Sequence, residues 1–574
     1  MAKRTPMLAE LRIDELIAVM QREALAFWQF REREAIIAIV RTLDMLAVRR
    51  MWRNSSDGSS NGQKNEEFFA FAGVAAALKP FLTRVEGFPG PLPWHPMTPQ
   101  DESFARWYLN ECGELSYLKR LAATERYGLV VASLVGDNKI LLSVSEGAPE
   151  YASFSAMKEK RSRTGEKSGK GGDKRGWERR HRRMQSFVDV VDGWFIRYDN
   201  DWEIVEAYRS QAQAVASTFF EAEALDSSVV LGDRDFGTWK HACDQALGRV
   251  LAHIDFAAIL ERKRPGVRLI DTFTIFARRE DVAAVWEEAG LPRSRIAATM
   301  KALTLDADGL ADWESAHETP CPFYVDLGKN FVLMPCFGAL TNPYFALFRH
   351  LRVNYQRDWD RGVDLREAAF RQDLADMFPE PNFSVPSSGF AIRRTDGTLL
   401  TDIDAVVLDR RSGALALVQL KWHDVFGRSL AERESRRRNI EKANEWVGKV
   451  SDWIDGRSSA DVAKGLGLTG LGASDRPLIY VLARYNARFS GETNQDKRAE
   501  WLGWHEMLAS YRGDEENPLV VVPKKISERQ QKLGADLSSN SIFQFSGCEI
   551  ELRIGPKEGG VSRADDASAQ KNST

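Results

Sequence analysis

The amino-acid sequence predicts a mixed α/β protein, α+β over its whole length, and three observations lead there. Apolar residues recur every third or fourth position through long stretches of the first half, the period of an amphipathic helix. Short apolar runs closed off by Gly, Asn and Asp interrupt those stretches and read as the strands of hairpins. Beyond residue 340 the elements come in the order helix, strand, hairpin, helix, strand.

At 574 residues the chain exceeds one ordinary core, so two to four domains are expected. Hydrophobic residues at 43% and charged residues at 28% describe a globular protein, neither grossly disordered nor membrane-embedded. A net charge of −3 gives the whole chain no pull on polyanions, so any such argument is local. The 5 cysteines (Cys112, Cys243, Cys321, Cys336, Cys548) show no C-x-x-C spacing, and the 8 histidines are dispersed. That argues against structural zinc or a disulfide framework and for a reducing compartment. Apolar runs stay short of the roughly 18 residues a membrane helix needs. Glu10, Asp14 and Glu15 break up the N-terminal apolar pattern, which reads as an amphipathic helix rather than a signal segment. A cytoplasmic protein without membrane contact is the expectation.

Leu8 to Trp52 reads as helical, followed by a polar Ser/Gly/Asn-rich break over Asn54 to Glu67 and a further helix over Phe68 to Leu82. After a proline-rich connection, YGLVVASL and KILLSV form a hairpin. From Lys158 to Arg183 the composition shifts to twelve basic residues against four acidic ones. So little apolar anchor predicts a flexible loop that attracts polyanions, with a plain solvated loop as the competing reading. Its GEKSGKGG piece is not a phosphate loop: the spacing from Gly165 is wrong and no Ser or Thr follows Lys170. Phe187 to Asp199 reads as a strand, Trp202 to Ala224 as a helix, Val267 to Ala277 as a strand, and PFYVDLGKNFVLMPCF as a second hairpin.

The C-terminal half reads as helices over Tyr344 to Phe378, broken near Arg361-Gly362, with Asp364 placed to cap the second. A strand over Phe383 to Arg393 follows, then TDIDAVVLDRRSGALALVQLKW, a helix over Ser429 to Ile454 and the buried strand PLIYVLAR. In the central segment two apolar runs, Ala405 to Leu408 and Ala414 to Val418, flank the turn Arg411-Ser412-Gly413. Side chains alternate faces along a strand, so Asp402 and Asp404 share one face, as do Gln419 and Lys421. Charges at the ends of strands this apolar either reach solvent or bind something.

These parts resemble the PD-(D/E)xK, or restriction-endonuclease-like, nuclease superfamily, in its Q-x-K branches, over roughly Val363 to Arg484. The matching residues are Glu367 in REAAFRQDL, Asp404 in TDIDAVV, and Gln419 and Lys421 in VQLKW. The resemblance implies an αβββαβ core behind a largely helical α+β N-terminal half, and an Mg²⁺- or Mn²⁺-dependent endonuclease acting on nucleic acid, with DNA preferred. Mg²⁺ takes few hard protein oxygens and keeps waters. In that scheme Asp404 is the central ligand, Gln419 and the backbone carbonyl of Leu420 add oxygens, and Glu367 holds the metal from the preceding helix. Lys421 orients and deprotonates the attacking water. Asp402 is a supporting group or a ligand to a second metal, and Arg433, Arg437 and Lys442 on the following helix are candidate phosphate contacts. Glutamine in place of a carboxylate is a departure that removes a negative charge from the site.

Simpler accounts stand beside these. Asp364-x-x-Glu367 is a capping-box spacing, Lys421 can snorkel, and Glu432, Glu434 and Glu441 can pair with the arginines of their own helix. The expected division is 1–155, a basic loop at 156–185, an α+β domain at 186–340, the nuclease-like domain at 341–555 and a disordered tail at 556–574. A homo-oligomer or a partner protein is assigned to the N-terminal half, and by analogy the activity suits bacterial, antiviral defence. The alternative is a nuclease-like fold without catalysis, serving as a nucleic-acid-binding or assembly module.

Overall fold

Three apolar cores organise the chain. The largest runs from Ala9 to Trp359 and takes in Phe545, Cys548, Ile550 and Leu552 from near the C-terminus. The other two, built from residues between Phe370 and Ile526, lie on opposite faces of one sheet. The computed structural model describes residues 8–53, 61–85, 94–136, 138–145, 156, 174–288, 290–315, 319–423, 430–468, 475–488, 495–535 and 539–555. The fold is mixed α/β, and no helix among the described residues is long and apolar enough to cross a membrane.

In the first body, helix Leu8–Phe27 buries Ile13, Leu16, Ile17, Met20 and Ala24 along one stripe. Helix Glu32–Arg53 is buried nearly all round, which places it at the centre of the body. Its Arg41 pairs with Asp271 at 3.3 Å, and its Asp44 accepts hydrogen bonds from Thr274 and from the backbone N–H groups of Cys336 and Phe337. Helices Asn61–Ala72 and Pro99–Ala122 touch at Gly113, where an added Cβ would lie 1.8 Å from the Phe69 carbonyl oxygen. Only glycine permits that approach.

The expected boundaries change in three places. Helices Phe345–Asn354 and Gln356–Val363 contribute Phe348, Leu351 and Trp359 to the first core, so residue 341 starts no new domain. Strand Cys548–Gly555 pairs in parallel with Lys139–Ser145, and its partner Ser539–Phe545 extends that sheet. The C-terminal unit therefore spans about residues 366–535 and is inserted into the first body. Nor do 1–155 and 186–340 separate, since one core unites them. The cause in each case is burial between segments far apart in sequence.

Local expectations shift too. The loop at 156–185 ends in a helix, Lys174–Phe187, while residues 157–173 and the tail at 556–574 lie outside the described residues. Phe187 to Asp199 is a hairpin, Val188–Val191 with Phe195–Tyr198, turned by Asp192 and Gly193 at positive φ. Helix Asn61–Ala72 begins inside the expected polar break.

The inserted unit carries a five-stranded sheet in the order Phe383–Ser384, Ala405–Asp409, Leu415–Lys421, Leu478–Ala483, Glu500–Gly503. The first three strands are antiparallel neighbours, and the last two join in parallel. Ala405–Asp409 and Leu415–Lys421 are buried on both faces, as the middle of a layered α/β unit requires. Helix Leu430–Trp453 covers one face, packing Trp446, Val447 and Val450 on Val406, Leu415 and Leu417. Helix Arg366–Met377 covers the other, packing Phe370 and Leu374 on Ala405, Val407, Val418 and Leu420.

Candidate functional site

The polar residues gather where the central hairpin splits. Ala405 faces Val418 in the antiparallel register. One step further, Asp404 stands beside Gln419, while the chain before it, Leu399–Ile403, leaves the large sheet to pair with Phe390–Arg393. The gap so opened frees the Leu420 N–H, which donates to Asp404 Oδ2 at 2.8 Å. Leu420 thus meets Asp404 through its N–H, and its side chain points into the opposite core, with Phe370. By alternation Gln419 and Lys421 share the face of Leu415 and Leu417.

Asp404 is only 7% exposed. Burial pushes its carboxyl up to about 6; the Leu420 N–H and Lys421 pull it down, and the charges of Glu367 and Asp402 push it up again. Lys421 is drawn below the ordinary lysine value by burial, against the pull of Asp404, Asp402 and Glu367, with Lys442 repelling. Glu367 and Asp402 thus act on both Asp404 and Lys421, and Lys442 acts on Lys421. Gln419 is buried, and its Oε1 has no hydrogen-bond partner among the described residues. A buried carbonyl oxygen left without a donor costs about 1–3 kcal/mol, and a cation or water would relieve it.

Glu367 arrives from the other face of the sheet. Its helix packs opposite to the side of Lys421, and Arg371 brings the two faces together at the strand end. The Arg371 guanidinium donates to the Asp404 carbonyl at 2.6 Å, to the Ser387 carbonyl at 3.2 Å and to Glu367 Oε1 at 2.5 Å. Glu367 itself is 53% exposed, so it borders the site rather than filling it. The capping account fails: the N-cap of helix Arg366–Met377 is Leu365, without a side-chain cap, and Asp364 ends the helix before.

Asp402 is exposed, and its backbone carbonyl accepts the Trp446 Nε1–H at 2.6 Å, which ties helix Leu430–Trp453 to the split strand. Lys442, one turn before Trp446, is exposed and close enough to repel Lys421. The side chains of Arg433 and Arg437 lie outside the described residues. Among the described residues no three His, Cys, Asp or Glu side chains converge as metal donors. The oxygens at the split are instead the Asp404 carboxylate and the Gln419 amide, with the exposed Glu367 carboxylate at the border. Hard oxygens of this kind fit Mg²⁺ or Mn²⁺ rather than zinc or copper.

Two residues at the site escape a sequence reading. Arg371 is one, visible afterwards only as the i+4 partner of Glu367. Arg484 is the second: its N–H donates to the Lys421 carbonyl at 2.8 Å, and its guanidinium lies 4.4 Å from the Trp422 ring. That guanidinium also pairs with Asp373 on the Glu367 helix and with Glu223 of the first body at 2.7 Å. Behind Trp422 a cavity of ≈ 570 Å³ opens between the two units, with Glu223, Asp373, Arg366 and Arg484 among its walls. Comparison with family models, curated proteins and solved structures returns no match to this chain.

Proposed function

We propose that this protein is a divalent-metal-dependent nuclease of the PD-(D/E)xK type, with residues 366–535 as its restriction-endonuclease-like unit and DNA as the preferred substrate. The observation that carries the reading is the split hairpin, which sets a buried carboxylate, an amide oxygen without a donor among the described residues, and a half-buried lysine side by side. The order of elements in the unit supports it: counting only the strands of the five-stranded sheet, helix Arg366–Met377, three strands, helix Leu430–Trp453 and a strand follow one another as αβββαβ, with the pair Phe390–Arg393 and Leu399–Ile403 interposed in a sheet of its own.

Asp404, Gln419 and Glu367 are the residues that would hold Mg²⁺ or Mn²⁺. When bound, the ion lowers the pKa of water and offsets phosphodiester charge. The chain's own contributions follow from its electrostatics. The Leu420 N–H fixes one Asp404 oxygen, and the Arg371 clamp holds Glu367 near it. Lys421, its pKa lowered by burial, would be present more often as the free amine that can take a proton at Nζ from an attacking water; once charged, it balances the phosphate. Lys442 presents a second cation to the incoming backbone.

A second reading is favoured by Gln419 together with the scarcity of carboxylates: a nuclease-like unit without catalysis, used as a nucleic-acid-binding or assembly module. Incubating the full chain with supercoiled plasmid in Mg²⁺, then in Mn²⁺, separates the two. Nicking abolished by Asp404→Ala and by Lys421→Ala supports the nuclease. Binding without nicking in either metal supports the module. A role in defence against foreign DNA suits the nuclease by analogy alone.

A further inference from the structure

One short segment of the first body reaches across to the inserted unit. Helix Trp202–Ala216 is followed by a single 3-10 turn, Phe220–Glu223. Phe219 and Ala222 stay with the first core, while the Phe220 ring lies 4.6 Å from the His505 ring and 5.9 Å from that of Tyr485, centroid to centroid. Glu223 Oε2 accepts from the Arg484 guanidinium at 2.7 Å, and the Ala224 carbonyl accepts the Arg366 Nε–H at 2.7 Å. The residues in between hold the segment to its own body: Glu221 accepts from the Asn342 amide at 2.6 Å, and Lys240 donates to the Ala222 carbonyl at 3.2 Å. Anchored on one side, the segment grips the other unit at three points.

Arg484 is where that grip meets the candidate site. It is buried, and its guanidinium lies 4.4 Å from the Trp422 ring centroid, 5.3 Å from that of Phe370 and 5.7 Å from that of Trp504. It also pairs with Asp373. Phe370 and Asp373 belong to helix Arg366–Met377, which carries Glu367 and Arg371, and the Arg484 backbone N–H donates to the Lys421 carbonyl at 2.8 Å. One residue therefore joins the helix of Glu367 to the strand end of Lys421. A buried guanidinium is costly unless it is well paired. Asp373 supplies one carboxylate from within the unit, and Glu223 supplies another from the first body. A cavity of ≈ 570 Å³ adjoins Glu223, Trp422 and Arg484, so close packing alone does not fix the junction there.

We infer that Glu223 is a positioning residue of the candidate site: acting through Arg484, the first body sets the helix of Glu367 against the strand end of Lys421. The inference rests on the nuclease reading for what the site does, and on these contacts alone for how it is held. Glu223 is 36% exposed, and an ion pair with so exposed a partner adds little to global stability. Its loss should be felt locally, at the two elements that Arg484 joins. A displacement of Phe220–Ala224 against the unit then reaches Glu367 and Lys421 together.

Hydrogen–deuterium exchange on the metal-free full chain tests the clamp without any need for cleavage. In Glu223→Arg, which turns attraction to Arg484 into repulsion, amide exchange in Arg366–Met377, Leu415–Lys421 and Leu478–Ala483 should rise about tenfold through easier local opening. Helix Phe236–Lys263 of the first body should exchange as in wild type. Glu223→Gln keeps the length and an acceptor oxygen, so its rise should be smaller. Asp226→Asn is the control: Asp226 lines the same cavity but bonds Ser228, and exchange should not change. In Mg²⁺, Glu223→Arg should lower kcat for plasmid cleavage about tenfold or more, with KM unchanged and the Lys421 limb of the pH–rate profile displaced. A wild type that never cleaves would defeat the nuclease reading and leave the exchange result standing. Unchanged exchange at all three segments in both Glu223 variants would overturn the proposal. So would an equal rise in helix Phe236–Lys263, the mark of general loosening, or a Glu223→Arg protein with wild-type kcat and pH profile.

Discussion

Two buried aspartates, one in each unit, put the same group to opposite uses. Asp44, fully buried in the first body, meets three donors: the Thr274 hydroxyl and the N–H groups of Cys336 and Phe337. Among the described residues Asp404 meets one donor, the Leu420 N–H, and it sits in the field of two other carboxylates. A polar group satisfied from every side fastens its surroundings, whereas one that is half-satisfied and crowded by like charge is set up for a ligand.

The largest expected effect breaks the comparison cleanly. Asp404→Ala should reduce Mg²⁺-dependent cleavage on the order of a thousandfold or more, as loss of a principal charge-handling group does, while thermal unfolding stays close to wild type. Asp44→Ala should do the reverse. It strands three buried donors and costs about 3–5 kcal/mol, seen as a large fall in melting temperature, with cleavage per folded molecule unchanged. Lys421→Ala comes next, with a rate loss of about 10²–10⁴-fold and an altered pH–rate profile.

A smaller effect sharpens the contrast through pH. Asp404 titrates at about 6 and Asp44 at about 7, against 3.8 for an ordinary aspartate, burial being the first cause in both. Each folded-state pKa is raised, so each group favours folding most below about pH 4, and the contribution is lost as pH rises through the folded value. Metal-free protein should therefore lose on the order of 3 kcal/mol from Asp404 and on the order of 4 kcal/mol from Asp44 between those limits. Asp404→Asn removes the step that ends near 6 and leaves the other. At pH 7.5, Mn²⁺ should raise the melting temperature of wild type and not of Asp404→Asn; equal shifts would place the metal elsewhere. The smallest effect belongs to Arg371→Met, which frees Glu367 and should weaken apparent Mg²⁺ affinity about tenfold, read from the metal dependence of cleavage.

The hairpin was legible because strand alternation and turn chemistry are local: Gly413 at φ +75° closes it where the sequence places the turn. Asp404, Gln419 and Lys421 follow from that register alone. Glu367 was harder. Its spacing from Asp364 mimics a cap, and the Arg371 clamp that orders it uses the Asp404 and Ser387 carbonyls, far along the chain. Arg484 was invisible for the same reason, since its partners span Glu223 to Lys421. The return of Cys548–Gly555 to the first body joins segments some 400 residues apart, and local pattern holds no trace of it. Helix Lys174–Phe187 was missed because charge, not apolar period, fills its sequence.

The most direct measurement of the central claim is cleavage of supercoiled plasmid by the full chain in EDTA, Mg²⁺ and Mn²⁺, run beside Asp404→Ala and Lys421→Ala proteins of matched melting temperature. The account predicts nicked or linear product with either metal, none in EDTA, and none from either variant. Product formed equally well by Asp404→Ala, or by wild type in EDTA, would contradict it.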